Sequence, residues 1–410
     1  MEGGKGVQTR TLELLKRLSR ELSDLDLGAL IDEVEGAIEP AEFLRRYVGP
    51  NKPLIVRGGA RHWPAVGRWD RRYLAETAGH ETVTVAFTPN GLADAVTAAP
   101  LGGPEPLCFC EPHQRRMLFS EFIDAFFDSR RRWLAWRQKQ QQQQQQQKPQ
   151  QQQQQPQQQP GEEEGDPPDV PYLQAQNGSL TDEMPSLLGD VEEQLPWARA
   201  AFGVAPDAVN IFIGDERSQT TFHKDHYENI YAVVAGVKVF HLLPPCDAWR
   251  LGGASLPAAT YAPCGAGGRL QPVVDTCKRR VTWSAVDPHP DDPAAAAARF
   301  PHFWDPSLPR PLVAELRAGD VLYLPAMWHH YVDQRPDEGC AEPWVIAVNA
   351  WTDMSWGAGY AHFKLVEALA ADAGLLPAPQ EDSGSGGGEC GADGGSSTST
   401  SGDGSGSSAT

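Results

Sequence analysis

Between residues 210 and 349 the chain is broken into short β-rich runs separated by glycine and proline, and that pattern leaves few folds open. The runs are residues 210–213, 220–223, 229–234, 237–243, 321–324 and 345–349. Most carry polar residues at alternate positions, and no long helical pattern lies between them. Period-two alternation with glycine and proline punctuation predicts strands. Many short strands without crossover helices predict an antiparallel barrel or jelly roll. The expected fold is therefore mainly β, with helices only at its flanks.

The flanks support that division. Leu12, Leu15, Leu18, Leu22 and Leu25 recur at helical steps, so residues 11–27 read as an amphipathic helix. Tyr360, Phe363, Val366 and Leu369 make a second stripe near the C-terminus. Either stripe packs on its own subunit or forms the seam of a homodimer, and the dimer is the expectation. Residues 40–47 and 119–127 also look helical, while residues 53–57 and 83–87 look like strands. From Gln138 to Pro160 the sequence is almost pure glutamine with three prolines, followed by Glu162, Glu163 and Glu164. A tract this polar cannot bury enough apolar surface to offset its ordering entropy. The expected organisation is a helical region at 1–38, an α+β part at 39–137, a disordered insert at 138–169, a catalytic core with its terminal helix at 170–376, and a disordered Gly/Ser-rich tail at 377–410.

Composition excludes some functions. The formal charge is −19, from 54 acidic and 35 basic residues, which argues against a general binder of nucleic acid or anionic membranes. The seven cysteines form no regular framework, and Cys108 and Cys110 are too close for a C-x2-C zinc pair. Free thiols are expected. The N-terminus has no apolar signal region, and residues 230–243 are too short and too polar to span a bilayer. A soluble cytoplasmic protein is expected, with the nucleus as a second compartment.

The chemistry concentrates at Thr220-Thr-Phe-His-Lys-Asp-His-Tyr-Glu-Asn229. His223 and Asp225 stand two apart on a strand-like run, so both are expected on one face. Two such groups supply part of the two-histidine, one-carboxylate set that holds non-haem Fe(II). A third ligand must come from a distant strand, and the chain offers the pair His329 and His330 after residues 319–328.

These residues resemble the Jumonji-C group of cupin-fold dioxygenases, and most narrowly the Jumonji-C domain-containing protein 7 family. The carriers are Thr220-x-x-His223-x-Asp225, Asn229, Gly236-Val-Lys238, the run from Gly319 to His329, and Ala347-Val-Asn-Ala-Trp351. Pro206-Asp-Ala-Val-Asn210 and Thr88-Pro-Asn-Gly-x-Ala-Asp-Ala-Val96 add to the closer match. The resemblance covers about residues 39–376, apart from the glutamine tract and a looser stretch at 250–310. It implies a double-stranded β-helix core, and Fe(II) as metal with 2-oxoglutarate and O2 as co-substrates. It implies His223, Asp225 and His329 as ligands, with His330 on the opposite face. Lys238 matches the family's cation for the far carboxylate of 2-oxoglutarate. Tyr172 and Thr220 match hydroxyl donors to that carboxylate, and Asn229 and Asn349 match polar groups of the pocket. Trp328 and Trp351 are expected to wall the cavity. The 250–310 stretch is expected to shape the substrate channel.

The function implied is hydroxylation at C-3 of a lysine in developmentally regulated GTP-binding proteins. Alternatives within the same resemblance are an endopeptidase acting on histone tails at methylated arginine or lysine, and a histone demethylase. A cupin scaffold without activity is a further alternative, disfavoured by the presence of all three ligands and the lysine.

Overall fold

The protein is described by a computed structural model, which covers residues 2–147, 166–265, 267–277, 279–338 and 342–377. Two sheets form its centre. Their strands in chain order are β1 (Asp32–Glu35), β2 (Leu54–Arg57), β3 (Leu92–Ala93), β4 (Ala208–Gly214), β5 (Gln219–His223), β6 (Tyr227–Ala235), β7 (Val237–Leu243), β8 (Leu312–Arg317), β9 (Val321–Leu324), β10 (His329–Arg335) and β11 (Val345–Asp353). One sheet has the order β1-β2-β9-β6-β11-β4, the other β8-β7-β10-β5-β3. Pairing is antiparallel except between β1 and β2 and between β3 and β5. The expected mainly-β jelly-roll core with flanking helices is what the chain forms.

The six-stranded sheet is buried on both faces. Ile211, Ile230, Val321 and Val348 pack on one side with Phe43 and Phe122 from the N-terminal part and with Trp197. Phe212, Tyr231, Leu322 and Ala347 pack on the other side with Phe240, Leu242, Ala314 and Val332 of the five-stranded sheet. Burial on both faces explains why β6 and β11 read as nearly continuous apolar runs rather than as clean alternation. The five-stranded sheet turns its other face to residues 251–304, where Phe222, Leu243 and Tyr331 meet Val286 and Phe303. That stretch contributes the strands Ala254–Cys264, Arg269–Val274 and Arg280–Trp283, which join Ala95–Ala98 and Leu107–Glu111 in a further sheet.

Three long helices flank the sheets: α1 (Glu2–Leu22), α2 (Phe119–Gln147) and α3 (Ala358–Asp372). The N-terminal helix ends in a wide turn at Ser23–Leu27. Helix α2 runs ten residues into the segment expected to be disordered, because glutamine is a good helix former and no proline intervenes before Pro149. Residues 148–165 of the insert and the tail from 378 onward lie outside the described residues. Part of each stripe of α1 and α3 is used within the chain. Leu15 and Ala370 are buried with Trp249 and Leu308, and Leu12 and Val366 pack against them. Burying a leucine such as Leu15 contributes about 2 kcal/mol. Ser19 donates to Asp247 at 3.0 Å and Lys16 to Asp305 at 2.8 Å, tying the helix to the same surface. Tyr360 and Phe363 pack on Ala326, Met327 and Met354. Cys108, Cys110 and Cys246 are buried free thiols, and Cys264 is also unbridged. Among the described residues, no helix is long and apolar enough to cross a membrane.

Candidate active site and metal centre

The space between the two central sheets holds a cavity of about 230 Å³. Alternation decides what faces it. On β6 and β11, Asn229 lies opposite Trp351 and Tyr231 opposite Asn349, and all four line the cavity. On β7, Lys238 and Phe240 face inward. Strand β5 departs from simple alternation. Its pairing with β10 matches Thr220 to Val332 and His223 to His330, with a register shift between. That irregularity turns Thr220 and His223, three apart in sequence, into the same cavity, while Phe222 packs outward. Bulges re-aim side chains in this way beside functional sites.

Three side chains converge at one end: His223, Asp225 and His330. Asp225 Oδ2 lies 3.9 Å from His223 Nε2 and 3.7 Å from His330 Nε2. Strand β5 ends at His223, so Asp225 is supplied by the following loop rather than by the strand run expected. The Nδ1–H of His223 donates to the carbonyl of Thr221 at 2.8 Å, and that of His330 to the carbonyl of Trp328 at 3.0 Å. Each imidazole is thereby held in the tautomer whose Nε2 lone pair points at the carboxylate, an arrangement typical of metal-binding histidines. Burial and the neighbouring His223 push the His330 pKa down to about 4, so this ring is neutral at pH 7. Two imidazoles and one carboxylate form the donor set that suits non-haem Fe(II).

The third histidine differs from the one expected. His329, not His330, was to complete the triad, yet β10 is registered so that His330 shares the face of His223. His329 then points to the other face, where its Nδ1 is buried without a hydrogen-bond partner among the described residues. Burial, then Lys224, His330 and His223, hold its pKa well below the usual value. The preceding turn sets this register. Met327 takes a left-handed conformation with φ of 69°, and its N–H donates to the carbonyl of Asp225 at 2.8 Å. Such strain beside a site persists only where surrounding contacts enforce it. Glu228 helps, accepting from Tyr323 at 2.7 Å and from the Ala326 N–H at 3.3 Å.

Trp328 also departs from expectation. It is buried in the core between the sheets and donates from Nε1 to Asn51 Oδ1 at 2.7 Å. It anchors the turn and does not line the cavity. Trp351 does line it, and so does Trp283. The Trp283 ring stacks beside His223 with centroids 6.3 Å apart, and its Nε1 donates to Thr221 Oγ1 at 2.8 Å. Trp283 comes from the 250–310 stretch, which therefore reaches the cavity wall.

Lys238 lies deeper in the cavity, 1% exposed. Its Nζ donates to the Tyr172 hydroxyl at 3.2 Å, and Thr220 is hydrogen-bonded to Tyr172 as well. No carboxylate contacts the amine among the described residues. Burial consequently pushes its pKa down to about 7, with Asp333 raising it in part. A buried amine with hydroxyl neighbours and no counter-charge is a receptor for an anion. A chain of amides borders it: Asn210 Nδ2 donates to Asn349 Oδ1 at 3.1 Å, and Asn349 Nδ2 to Asn229 Oδ1 at 3.2 Å.

Asp94 was not singled out from sequence. Its carboxylate lines the same cavity and makes no hydrogen bond or ion pair among the described residues. Burial pushes its pKa up to about 6, against the opposing influence of His223. A second hollow adjoins the first, sharing Asp94, Gln174 and Gln176 and adding Glu111 and Glu183. The signals for Asp94 were its place after the Asn90-Gly91 turn and its position inside the run Thr88–Val96 that carries part of the resemblance. Trp283 had none beyond being an aromatic at a strand end.

A family model described as a cupin-like domain matches residues 40–357. The chain is 37% identical to lysine-specific demethylase JMJ32 of Arabidopsis thaliana, over 87% of this chain and 91% of that protein. It is 35% identical to the bifunctional peptidase and (3S)-lysyl hydroxylase JMJD7 of Homo sapiens, over 82% and 88% of the respective chains. It is 30% identical to JmjC domain-containing protein E of Dictyostelium discoideum, over 87% and 93%.

Proposed function

Because the chain belongs to the cupin-like Jumonji-C oxygenase family, we propose that it is an Fe(II)- and 2-oxoglutarate-dependent dioxygenase that hydroxylates C-3 of a lysine in a protein substrate. His223, Asp225 and His330 would hold the metal, and Lys238 with Tyr172 and Thr220 would hold the far carboxylate of 2-oxoglutarate. The observation that carries this reading is the buried Lys238, with no carboxylate partner among the described residues, facing the two-histidine, one-carboxylate cluster across one small cavity. Bound together, Fe(II) and 2-oxoglutarate supply the activation of O2 that oxidation of an unactivated C–H bond requires.

The chain's own residues contribute orientation and exclusion. Backbone carbonyls of Thr221 and Trp328 fix the two imidazoles. The Asn210–Asn349–Asn229 chain keeps the polar wall rigid, and Trp283 and Trp351 keep bulk water from the reacting end. Asp94 supports a cationic side chain as substrate. An ionised carboxylate without a partner among the described residues, in the wall shared by the two hollows, favours a lysine ammonium. The relative named as a (3S)-lysyl hydroxylase supports hydroxylation, and a developmentally regulated GTP-binding protein is the candidate substrate.

A second reading is favoured by the similarity to a protein named as a lysine-specific demethylase. One reading oxidises a carbon of the lysine side chain and the other a methyl carbon on its amine, and the products separate them. With Fe(II), 2-oxoglutarate and lysine peptides, the hydroxylase forms succinate and adds oxygen to unmethylated lysine. The demethylase releases formaldehyde from methyl-lysine instead. Absence of succinate with either peptide class and with a whole-cell lysate overturns both readings.

A further inference from the structure

On the outer face of the five-stranded sheet, His241, His289 and Asp333 bring three ligand atoms together. We propose that they form a second metal site for a divalent cation of the zinc class, clamping the segment that carries His289 onto the barrel. His241 Nε2 and His289 Nε2 are 3.0 Å apart, and each lies 3.2 Å from Asp333 Oδ2. Tetrahedral coordination at ordinary zinc–nitrogen and zinc–oxygen lengths spaces ligand atoms about 3.3 Å apart. The triangle already has that size.

Hydrogen bonding alone does not satisfy this arrangement. Each Nε2 offers either a proton or a lone pair in its one in-plane direction, never both. If one ring donates and the other accepts, the accepting lone pair faces the carboxylate. If both rings donate to the carboxylate, their two N–H groups face each other. With Asp333 as a carboxylate, at most two of the three contacts are favourable in any protonation state of the two rings, whereas a cation at the centre satisfies all three. Two imidazoles and one carboxylate are the donor types zinc takes.

The fold builds the site from three places. Alternation puts His241 of β7 and Asp333 of β10 on the face opposite Lys238 and His330, diagonal to one another across the paired strands. His289 comes from the loop after Trp283, where its N–H donates to Asp287 Oδ1 at 2.8 Å and fixes the turn. The His289 side chain is 58% exposed, so a water has room for the fourth position. The His241 ring also packs on Tyr331, with centroids 6.0 Å apart. A cation here links two barrel strands to the segment that follows a wall residue of the cavity.

The test uses the full-length chain, stripped with chelator and dialysed against micromolar zinc. Asp225→Ala removes one ligand of the inner cluster and isolates the outer one. The expected result is two zinc per wild-type chain, one per Asp225→Ala chain, and none when Asp225→Ala is combined with His289→Ala or with Asp333→Asn. Cobalt in place of zinc in the Asp225→Ala chain should give the intense visible bands of four-coordinate Co(II), lost with His289→Ala. His289 lies on an exposed loop, and circular dichroism checks that its variant is folded. No uptake by Asp225→Ala, or uptake unchanged by His289→Ala, overturns the site. Neither result bears on turnover at the inner cluster, which the wild-type succinate assay reads separately.

Discussion

The two faces of the five-stranded sheet each carry two histidines and an aspartate, and they hold them differently. On the inner face, the Nδ1 of both His223 and His330 is bonded to a backbone carbonyl, so Nε2 is aimed before any ligand arrives. On the outer face, His241, His289 and Asp333 are held by one another, and one of them rides on a loop. The inner cluster is preorganised by the backbone. The outer one is complete only when the loop is docked. Backbone-fixed tautomers suit a centre that must keep open positions for reactants, whereas a clamp needs only to close.

The sharpest way to break this comparison is to exchange the neighbours on β10. His330→Ala should remove 2-oxoglutarate turnover by more than about 100-fold, since loss of a mere supporting partner already costs 10–100-fold in metal affinity. His329→Leu, which fills a buried site with an apolar side chain, should retain turnover within about tenfold. Succinate formation under saturating Fe(II) measures both. Full activity in His330→Ala with none in His329→Leu would reverse the assignment.

The next effect is in the floor of the inner face. Lys238→Ala should raise the half-saturating 2-oxoglutarate concentration by at least about 30-fold, the equivalent of about 2 kcal/mol for truncating one partner of a buried charge pair. Iron binding should be unchanged, as read by titration with Fe(II) under anaerobic conditions. An unaltered co-substrate dependence means that another group receives the carboxylate.

Acidity sharpens the same point. In the free chain Lys238 titrates near 7, and a bound carboxylate favours its charged form. Well below pH 7 the amine is already protonated and binding takes up no proton. Above pH 7 each dicarboxylate bound must bring about one proton, so affinity falls about tenfold per pH unit. Calorimetry in buffers of different ionisation enthalpy checks this, and equal proton uptake at pH 6 and pH 8 would contradict it.

The smallest expected effect separates anchor from wall. Trp328→Phe removes the bond to Asn51 and should lower unfolding stability by about 1 kcal/mol, leaving the KM for 2-oxoglutarate and protein substrate unchanged. Trp283→Ala also loses a bond, the one to Thr221, and should lower stability at least as much, but it should in addition raise the KM for the protein substrate. A Trp328→Phe protein with altered KM and unchanged stability would restore Trp328 to the cavity wall.

The sequence by itself determined the short strands and most of their limits. Val237–Leu243 and Val321–Leu324 fall where their β-branched and aromatic runs predicted. It also determined the types of group in the cavity, because His223, Asp225, Asn229, Lys238 and Trp351 belong to recognisable local patterns. Local pattern fixes which residues on one strand share a face. It does not fix how two strands are registered, and a one-residue slip turns every side chain over. Only the tertiary structure decided that His330 faces His223, through the left-handed Met327 turn tied to Asp225 and the irregularity in β5. Asp94, Trp283 and the outer cluster were illegible for the same reason. Their partners lie far away in sequence, and only long-range pairing brings them together.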